Sequence, residues 1–346
     1  MEEWVNCTLG DLLTFQRGHD LPKSEMQSGE YPVVGSNGII GFHNEFTTNE
    51  PSVTIGRSGN VGNPFIYYGK TWSHNTTLYV KDFKGNDPVF IYYFLKTMDL
   101  SNYAGGSAVP TLNRNHIHTL PIRIPLNSQV QKKIGSLLKL FDDKIAENNS
   151  INENLEQQAQ AIYCDMFITN ANPSWQLGRL SDLITVRYGK DHKKLADGIY
   201  PVYGSGGVMR YVEKPLYDKE SVLIPRKGTL NNVMYVNKPF WSVDTMFFTE
   251  MKLPNVAKFV FHFVKSKDLA SLNAGSAVPS MTTDILNAME LPIPDADTFY
   301  KFENIVAPLY QAMQQNAQES SKLAELRDSL LPRLMSGELD VSSIDL

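Results

Sequence analysis

A chain that matches itself at one constant displacement must fold the same way twice, and this one does so at an offset of 169 residues. Tyr31-Pro32-Val33-Val34-Gly35-Ser36 meets Tyr200-Pro201-Val202-Tyr203-Gly204-Ser205, and Ile55-Gly56-Arg57-Ser58-Gly59 meets Ile224-Pro225-Arg226-Lys227-Gly228. Trp72-Ser73 meets Trp241-Ser242, and Gly106-Ser107-Ala108-Val109-Pro110 meets Gly275-Ser276-Ala277-Val278-Pro279. Near the front the offset is 171, where Leu9-Gly10-Asp11-Leu12 meets Leu180-Ser181-Asp182-Leu183. A loop differing by two residues accounts for the change. The 346 residues are therefore a tandem duplication, and the period is far longer than the roughly 20–50 residues of a solenoid.

Each copy changes character part-way. Residues 1–126 and 171–294 consist of short β-branched and aromatic runs broken by Gly, Pro and Asn, which predicts curved, mostly antiparallel sheets. Strands are expected at 52–55, 65–68, 221–224 and 233–236. Apolar residues at three-to-four spacing predict short helices at 88–98 and 256–265.

Residues 127–170 and 295–346 adopt a different period. Ile134, Leu138, Phe141, Ile145, Asn148, Asn152, Leu155, Ala159, Ile162 and Met166 follow alternating steps of four and three, the spacing of a coiled-coil seam. Val306, Leu309, Met313, Asn316, Ser320, Leu323, Arg327, Leu330 and Leu334 repeat the phase at offset 168. Both seams are polar at their middle. A helix of about 40 residues runs roughly 60 Å, so a second helix that returns to pair with the first must run antiparallel to it. Central asparagines would then set the register at some cost in stability. The fold class is α+β: two pseudo-symmetric mixed domains joined by two long helices in an antiparallel coiled coil.

The order of these parts resembles the specificity subunit of type I restriction-modification systems. The resemblance rests on the Gly-Ser-x-x-Pro elements, on Leu120-Pro121-Ile122 and Leu291-Pro292-Ile293-Pro294 before each long helix, and on the ending Leu326-Arg327-Asp328-Ser329-Leu330-Leu331-Pro332-Arg333-Leu334-Met335-Ser336-Gly337-Glu338-Leu339. It covers essentially the whole chain. It implies a target-recognition domain at 1–126, a helical arm at 127–170, a second recognition domain at 171–294, and a second arm with a tail at 295–346. It further implies double-stranded DNA as ligand, each domain reading one half of a split site whose spacing the helices set. The partners it implies are methyltransferase subunits, two in number, with a restriction and translocation subunit as a further one.

A net charge of −5 opposes a nucleic-acid partner only if it is spread evenly. It is not: 1–126 carries −2, 127–173 carries −2, 174–294 carries +4 and 295–346 carries −5. The first domain would therefore need its cations gathered on one face. Base edges are read by amide, guanidinium, imidazole and hydroxyl groups, and phosphates by cations and backbone N–H groups. The candidate DNA-binding residues of the first domain are Gln16, Arg17, Arg57, Ser58, Asn60, His74 and Asn75. Those of the second are Arg187, Lys190, Arg226, Lys227, Asn231, Asn232, Asp244 and Thr245, with Arg187 and Lys190 taken as the counterparts of Gln16 and Arg17. Arg57 and Arg226 carry most weight, because both copies keep the cation inside a Gly-bearing turn. The run Lys190, His192, Lys193, Lys194 has no counterpart in the first copy and would steer phosphate. Trp72 and Trp241 read as core residues at strand ends.

Motifs for chemistry fail in detail. Gly69-Lys70-Thr71 would need its first phosphate-loop glycine at Pro64, which has no N–H to offer. Asn172-Pro173-Ser174-Trp175 resembles an aminomethyltransferase Asn-Pro-Pro-aromatic motif but lacks the second proline and a Gly-x-Gly cofactor loop, so it reads as a linker. Catalytic residues, metal ligands and cofactors are accordingly expected to be absent. Cys7 and Cys164, the only cysteines, build no disulfide framework, and no apolar run is long enough to span a membrane. A cytoplasmic location is expected. The alternatives are a recognition subunit of another multisubunit restriction or methylation system, a self-contained modifying enzyme, and a coiled-coil adaptor that binds only proteins.

Overall fold

The duplicated Tyr-Pro-Val run becomes the same strand twice in the computed structural model, which describes residues 3–106, 110–272 and 280–341. Tyr31–Gly35 pairs antiparallel with Gly38–His43 and parallel with Trp72–Ser73. Tyr200–Gly204 pairs antiparallel with Gly207–Val212 and parallel with Trp241–Ser242. Gly38 and Gly207 close these hairpins at φ of 99° and 110°, backbone that a side chain disfavours. Of the Gly-Ser-x-x-Pro elements, 107–109 and 275–279 lie outside the described residues.

The chain forms two compact units, Met1–Asn149 with Ala317–Leu346 and Ser150–Asn316. Each holds a four-stranded antiparallel sheet. The strand order is Thr14–Arg17, Thr77–Asp82, Ser52–Gly56, Pro64–Tyr67 in the first, and Ile184–Tyr188, Met246–Met251, Ser221–Pro225, Met234–Val236 in the second. A further antiparallel pair brings each unit's opening strand against the apolar-Pro segment: Trp4–Thr8 with Pro121–Pro125, and Gln176–Arg179 with Glu290–Ile293. The expected mostly antiparallel sheets are present, and the parallel Trp-Ser pairings are the departure from that pattern.

A short helix backs each four-stranded sheet. In the first unit it is Pro88–Thr97, begun by Asp87, whose carboxylate accepts from the Phe90 N–H at 2.8 Å, with proline at the first helical position. A side-chain cap and a proline satisfy the start of a helix, where backbone donors have no partners. Phe90, Ile91, Phe94 and Leu95 are buried beneath it with Phe15, Val53, Ile55 and Leu78. Each such side chain contributes about 1.5–3 kcal/mol of transfer free energy. Its counterpart is Ala257–Lys265, which buries Phe259, Val260, Phe261, Phe263 and Val264.

The long helices are Ser128–Cys164, continued by a π turn at Asp165–Thr169, and Ala296–Ser336. The expected seam thus keeps its α-helical step as far as Ile162, and Met166 lies in the widened turn. Within each unit the helix portions pair antiparallel. In the first, Asn148 Nδ2 donates to Glu319 Oε2 at 2.8 Å, and Asp142 pairs with Arg327. In the second, Asn316 Nδ2 donates to Asn152 Oδ1 at 2.9 Å, and Asn152 Nδ2 donates to the Met313 carbonyl at 3.1 Å. Ile134, Leu138 and Asn148 are buried in the first unit, as are Ala159 and Val306 in the second. Phe141, Ile145, Asn152, Leu155, Ile162, Leu309, Met313, Asn316, Leu323 and Leu330 are half-buried along the seam.

Both long helices end against a tryptophan at the mouth of a unit. Leu334 and Met335 join the first core, and Gly337 at φ 79° lies so close to Trp4 that an added Cβ would fall 2.6 Å from the ring. In the second unit Phe167 meets Trp175 with ring centroids 5.9 Å apart. Among the described residues no helix is long and apolar enough to cross a membrane.

Candidate nucleic-acid interface

The best-repeated polar structure in the two units is the turn that leaves the central strand. After Ser52–Gly56 the N–H groups of Arg57 and Ser58 both donate to the Thr76 carbonyl, at 2.8 and 3.2 Å. After Ser221–Pro225 the N–H groups of Arg226 and Lys227 donate to the Thr245 carbonyl at the same two distances. The Arg57 guanidinium returns through Nη1 to the Asn75 carbonyl at 3.0 Å, and that of Arg226 to the Asp244 carbonyl at 3.2 Å. Each arginine is therefore anchored by one N–H while the rest of its fork stays available.

The glycines explain the tightness of this turn. Gly59 and Gly228 take φ of 86° and 84°, and a Cβ there would lie 3.1 Å from Ser36 Oγ or 2.7 Å from Ser205 Oγ. The duplicated Gly-Ser pair thus supplies the serine that the turn packs against, linking two sequence anchors that are distant along the chain. Ser58 and Lys227 form matching backbone bridges to Thr111 and Ser280. Asn60 is exposed beyond the turn, and Lys227 is exposed beside Arg226.

Strand register corrects one sequence pairing. Arg17 lies opposite Leu78, and Tyr188 lies opposite Phe247. Gln16 lies opposite Tyr79, and Arg187 opposite Phe248. The counterpart of Gln16 is thus Arg187, but that of Arg17 is Tyr188. Lys190 matches His19 instead: their N–H groups donate to Ser242 and Ser73 carbonyls, at 2.8 and 2.7 Å. The 171-residue offset of the front persists through this strand, because the difference in loop length is absorbed only afterwards.

The other sequence candidates divide by how fully they are already engaged. Asn231 accepts from the Ala270 N–H at 3.0 Å and donates to Asp268 Oδ1 at 3.0 Å, and Asn232 donates to the Ser205 carbonyl at 2.8 Å. These two amides hold loops together, a role that residue type alone does not distinguish from base reading. Asn75 donates to the Asp20 carboxylate, which also meets Arg17 Nη2 at 3.4 Å. His74 Nδ1 is 3.0 Å from Thr76 Oγ1, and burial pushes its pKa down, favouring the neutral ring. Arg187 pairs with Glu250 at 3.0 Å in an exposed contact, which adds at most about 1 kcal/mol. Lys190, Lys193 and Lys194 are exposed, while the Lys190 carbonyl accepts from Trp241 Nε1 at 2.9 Å. Trp241 is buried and Trp72 half-buried; Trp72 meets the His43 ring edge-on at 5.1 Å.

In the first unit the cations do gather. Arg17, Arg57 and Arg114 line one open cleft of about 350 Å³ together with Thr111 and Asn113. Arg114, at the start of the helix Arg114–His118, is the functional candidate that sequence reading missed. Its counterpart at offset 169 is Thr283, so no repeated cation marked it. In the second unit the Arg226 guanidinium instead stands 5.4 Å from the Tyr188 ring centroid, within reach of a cation–π contact. Among the described residues no group of three His, Cys, Asp or Glu side chains could hold a metal ion.

Comparison with known proteins follows the duplication. The family model of the type I restriction modification DNA specificity domain matches residues 1–157 and again 172–326. The specificity subunit of the type I restriction enzyme MjaIX from Methanocaldococcus jannaschii is 23% identical over 303 residues, covering 74% of this chain and 70% of that protein. The specificity subunit of the type I restriction enzyme HindI from Haemophilus influenzae is 20% identical over 368 residues, covering 73% and 77%. The crystal structure of a type I restriction-modification S subunit from M. genitalium superposes with a TM-score of 0.63 at 21% identity, covering 96% of each chain. That likeness establishes a shared fold.

Proposed function

The chain belongs to the type I restriction modification DNA specificity family, and from that membership we propose that it is the DNA-reading subunit of a type I restriction-modification complex. Each unit reads one half of an asymmetric split site in duplex DNA, and the paired long helices determine the spacing of the halves. The chain carries out no chemistry itself. It binds methyltransferase subunits, two per chain, on its helical region, with a restriction and translocation subunit as a further partner. It acts in the cytoplasm.

One observation carries this reading: the arginine-anchored, Gly-bearing turn is built twice with the same hydrogen bonds, and its surroundings differ between the copies. An arginine held by one N–H presents its remaining donors in a defined direction, as recognition of a base edge or phosphate requires. Different neighbours around a common anchor suit two different half-sites.

The test is binding of duplex DNA by the chain co-expressed with its methyltransferase subunit, challenged with random duplex competitor. A complex that resists competition on a subset of sequences supports the proposal. Competition equal for all sequences would contradict it and favour an adaptor that binds proteins alone. Methyl transfer by the purified chain without the partner would contradict the non-catalytic role.

A further inference from the structure

The two units do not offer DNA the same surface around the shared arginine. In the first, three arginines, Arg17, Arg57 and Arg114, line a single cleft. In the second, only Arg226 remains of that set, because Tyr188 occupies the position of Arg17 and Thr283 that of Arg114. The described residues that line the first cleft include no carboxylate, so the three charges are not neutralised by the walls. Asp20 reaches Arg17 at 3.4 Å, a weak exposed contact. Arg57 is held at one end by the Asn75 carbonyl.

A cleft lined by three cations favours an anionic or acceptor-rich ligand, and a duplex offers two kinds of acceptor. Phosphates accept from any cation. Guanine alone presents two acceptors, O6 and N7, at a spacing that a guanidinium fork matches. Arg57 has one N–H committed to the backbone and keeps an edge for such a contact. Arg114 is exposed and begins a short helix, two residues after Leu112, whose N–H donates to the Arg57 carbonyl at 2.9 Å.

We propose that Arg114 is a specificity-determining residue of the first unit, acting with Arg57 so that its half-site requires guanine at the position the cleft covers. The second unit's half-site lacks that requirement. The Arg226 guanidinium stands 5.4 Å from the Tyr188 ring centroid, so an aromatic face takes the place of a second cation. This inference rests on the DNA-reading function proposed above and names what one half of the site contains.

The test uses the chain with its methyltransferase subunit and a library of duplexes randomised at every position, from which bound sequences are recovered and read. Arg226→Ala identifies the half that belongs to the second unit. Arg114→Ala is expected to alter only the other half, lowering the preference for guanine at one position about tenfold. Arg114→Lys is expected to restore affinity but not that preference, because an ammonium is a point charge without the fork. Retention of the guanine preference in Arg114→Ala, or its full rescue by lysine, would overturn the inference and leave Arg114 as a phosphate contact. A change confined to the half that Arg226→Ala marks would also overturn it. If the unaltered complex selects no sequence at all, the failure lies with the proposed function and not with Arg114. Arg114 is exposed, so an unchanged melting temperature of the alanine variant checks that the fold is intact.

Discussion

The joint between the short and long helices is built from different chemistry in the two units, although the backbone around it is repeated. In the first unit Tyr93, on the short helix, donates its hydroxyl to Asp142 on the long helix at 2.5 Å, and Asp142 in turn pairs with Arg327. In the second unit the matching positions are His262 and Tyr310, so the phenol has moved to the long helix. Tyr310 Oη lies 2.9 Å from His262 Nε2, and His262 Nδ1 lies 2.8 Å from Gln160 Oε1. An amide oxygen only accepts, so Nδ1 carries the proton and Nε2 accepts from the phenol. One turn earlier on the short helix and two turns earlier on the long one, Val89 and Gly135 of the first unit are replaced by Lys258 and Glu303, an ion pair at 2.5 Å whose lysine side chain is 5% exposed. Close approach of backbones in one copy is exchanged for a buried charge pair in the other. Duplication preserves the geometry of this joint while leaving each partner set free to change together.

The largest consequence is at that ion pair. Glu303→Gln removes the nearer counter-charge of Lys258 and leaves Glu220 at 3.3 Å; breaking a buried pair costs at most about 3–5 kcal/mol, an upper bound because Glu220 still faces the lysine. The loss should appear as faster hydrogen exchange in Ala257–Lys265, with Pro88–Thr97 unaffected. Equal loosening of both short helices would break the comparison.

Acidification should separate the units next. Burial lowers the His262 pKa from 6.5 to about 4, so the folded second unit binds fewer protons there than the unfolded chain does. Its contribution is complete above the unfolded value and is lost as pH falls from 6.5 towards 4, by as much as roughly 3 kcal/mol. In the first unit burial and the Asp142 contact raise the Tyr93 pKa, so that phenol's contribution is lost only on the alkaline side. Exchange rates at pH 7 and pH 4.5 should diverge for Ala257–Lys265 more than for Pro88–Thr97. His262→Phe should abolish the difference.

A steric test in the first unit gives a smaller effect. A Cβ at Gly135 would stand 2.8 Å from the Phe90 backbone nitrogen, so Gly135→Ala should destabilise by about 1–3 kcal/mol through overpacking, despite alanine's better helix propensity. A neutral or stabilising result would mean that the close approach is not required. Smallest is the asparagine pair of the second unit. Asn152→Leu with Asn316→Leu should change thermal stability by about 1 kcal/mol, the double variant gaining it and losing fixed register. Pairing at a single register in the variant, seen by cross-linking, would show that the apolar seam suffices.

The sequence makes the repeated parts legible because repetition filters out chance: the Gly-bearing turns, the Trp-Ser strands and the long helices all lie on constant offsets. The same filter hides whatever changed after duplication. Arg114 has threonine as its counterpart and joins Arg17 and Arg57 only through folding, so no linear pattern could mark it. The Tyr93–Asp142 and His262–Tyr310 contacts join residues 49 and 48 positions apart and share no residue identity between copies. Asn231 and Asn232 show the converse, since residue type alone does not reveal the loop-holding hydrogen bonds that these amides make. Pairing Arg17 with Lys190 departs from the front offset of 171, which strand register shows to hold as far as Tyr188.

The most direct test of two unlike readers built on one anchor is the genomic methylation pattern of cells carrying the native gene, Arg57→Ala or Arg226→Ala. Each substitution should relax a different half of the methylated site, by about 1–3 kcal/mol in discrimination if the arginine contacts a base, and leave the other half unchanged. Relaxation of the same half by both, or of neither, would contradict the account.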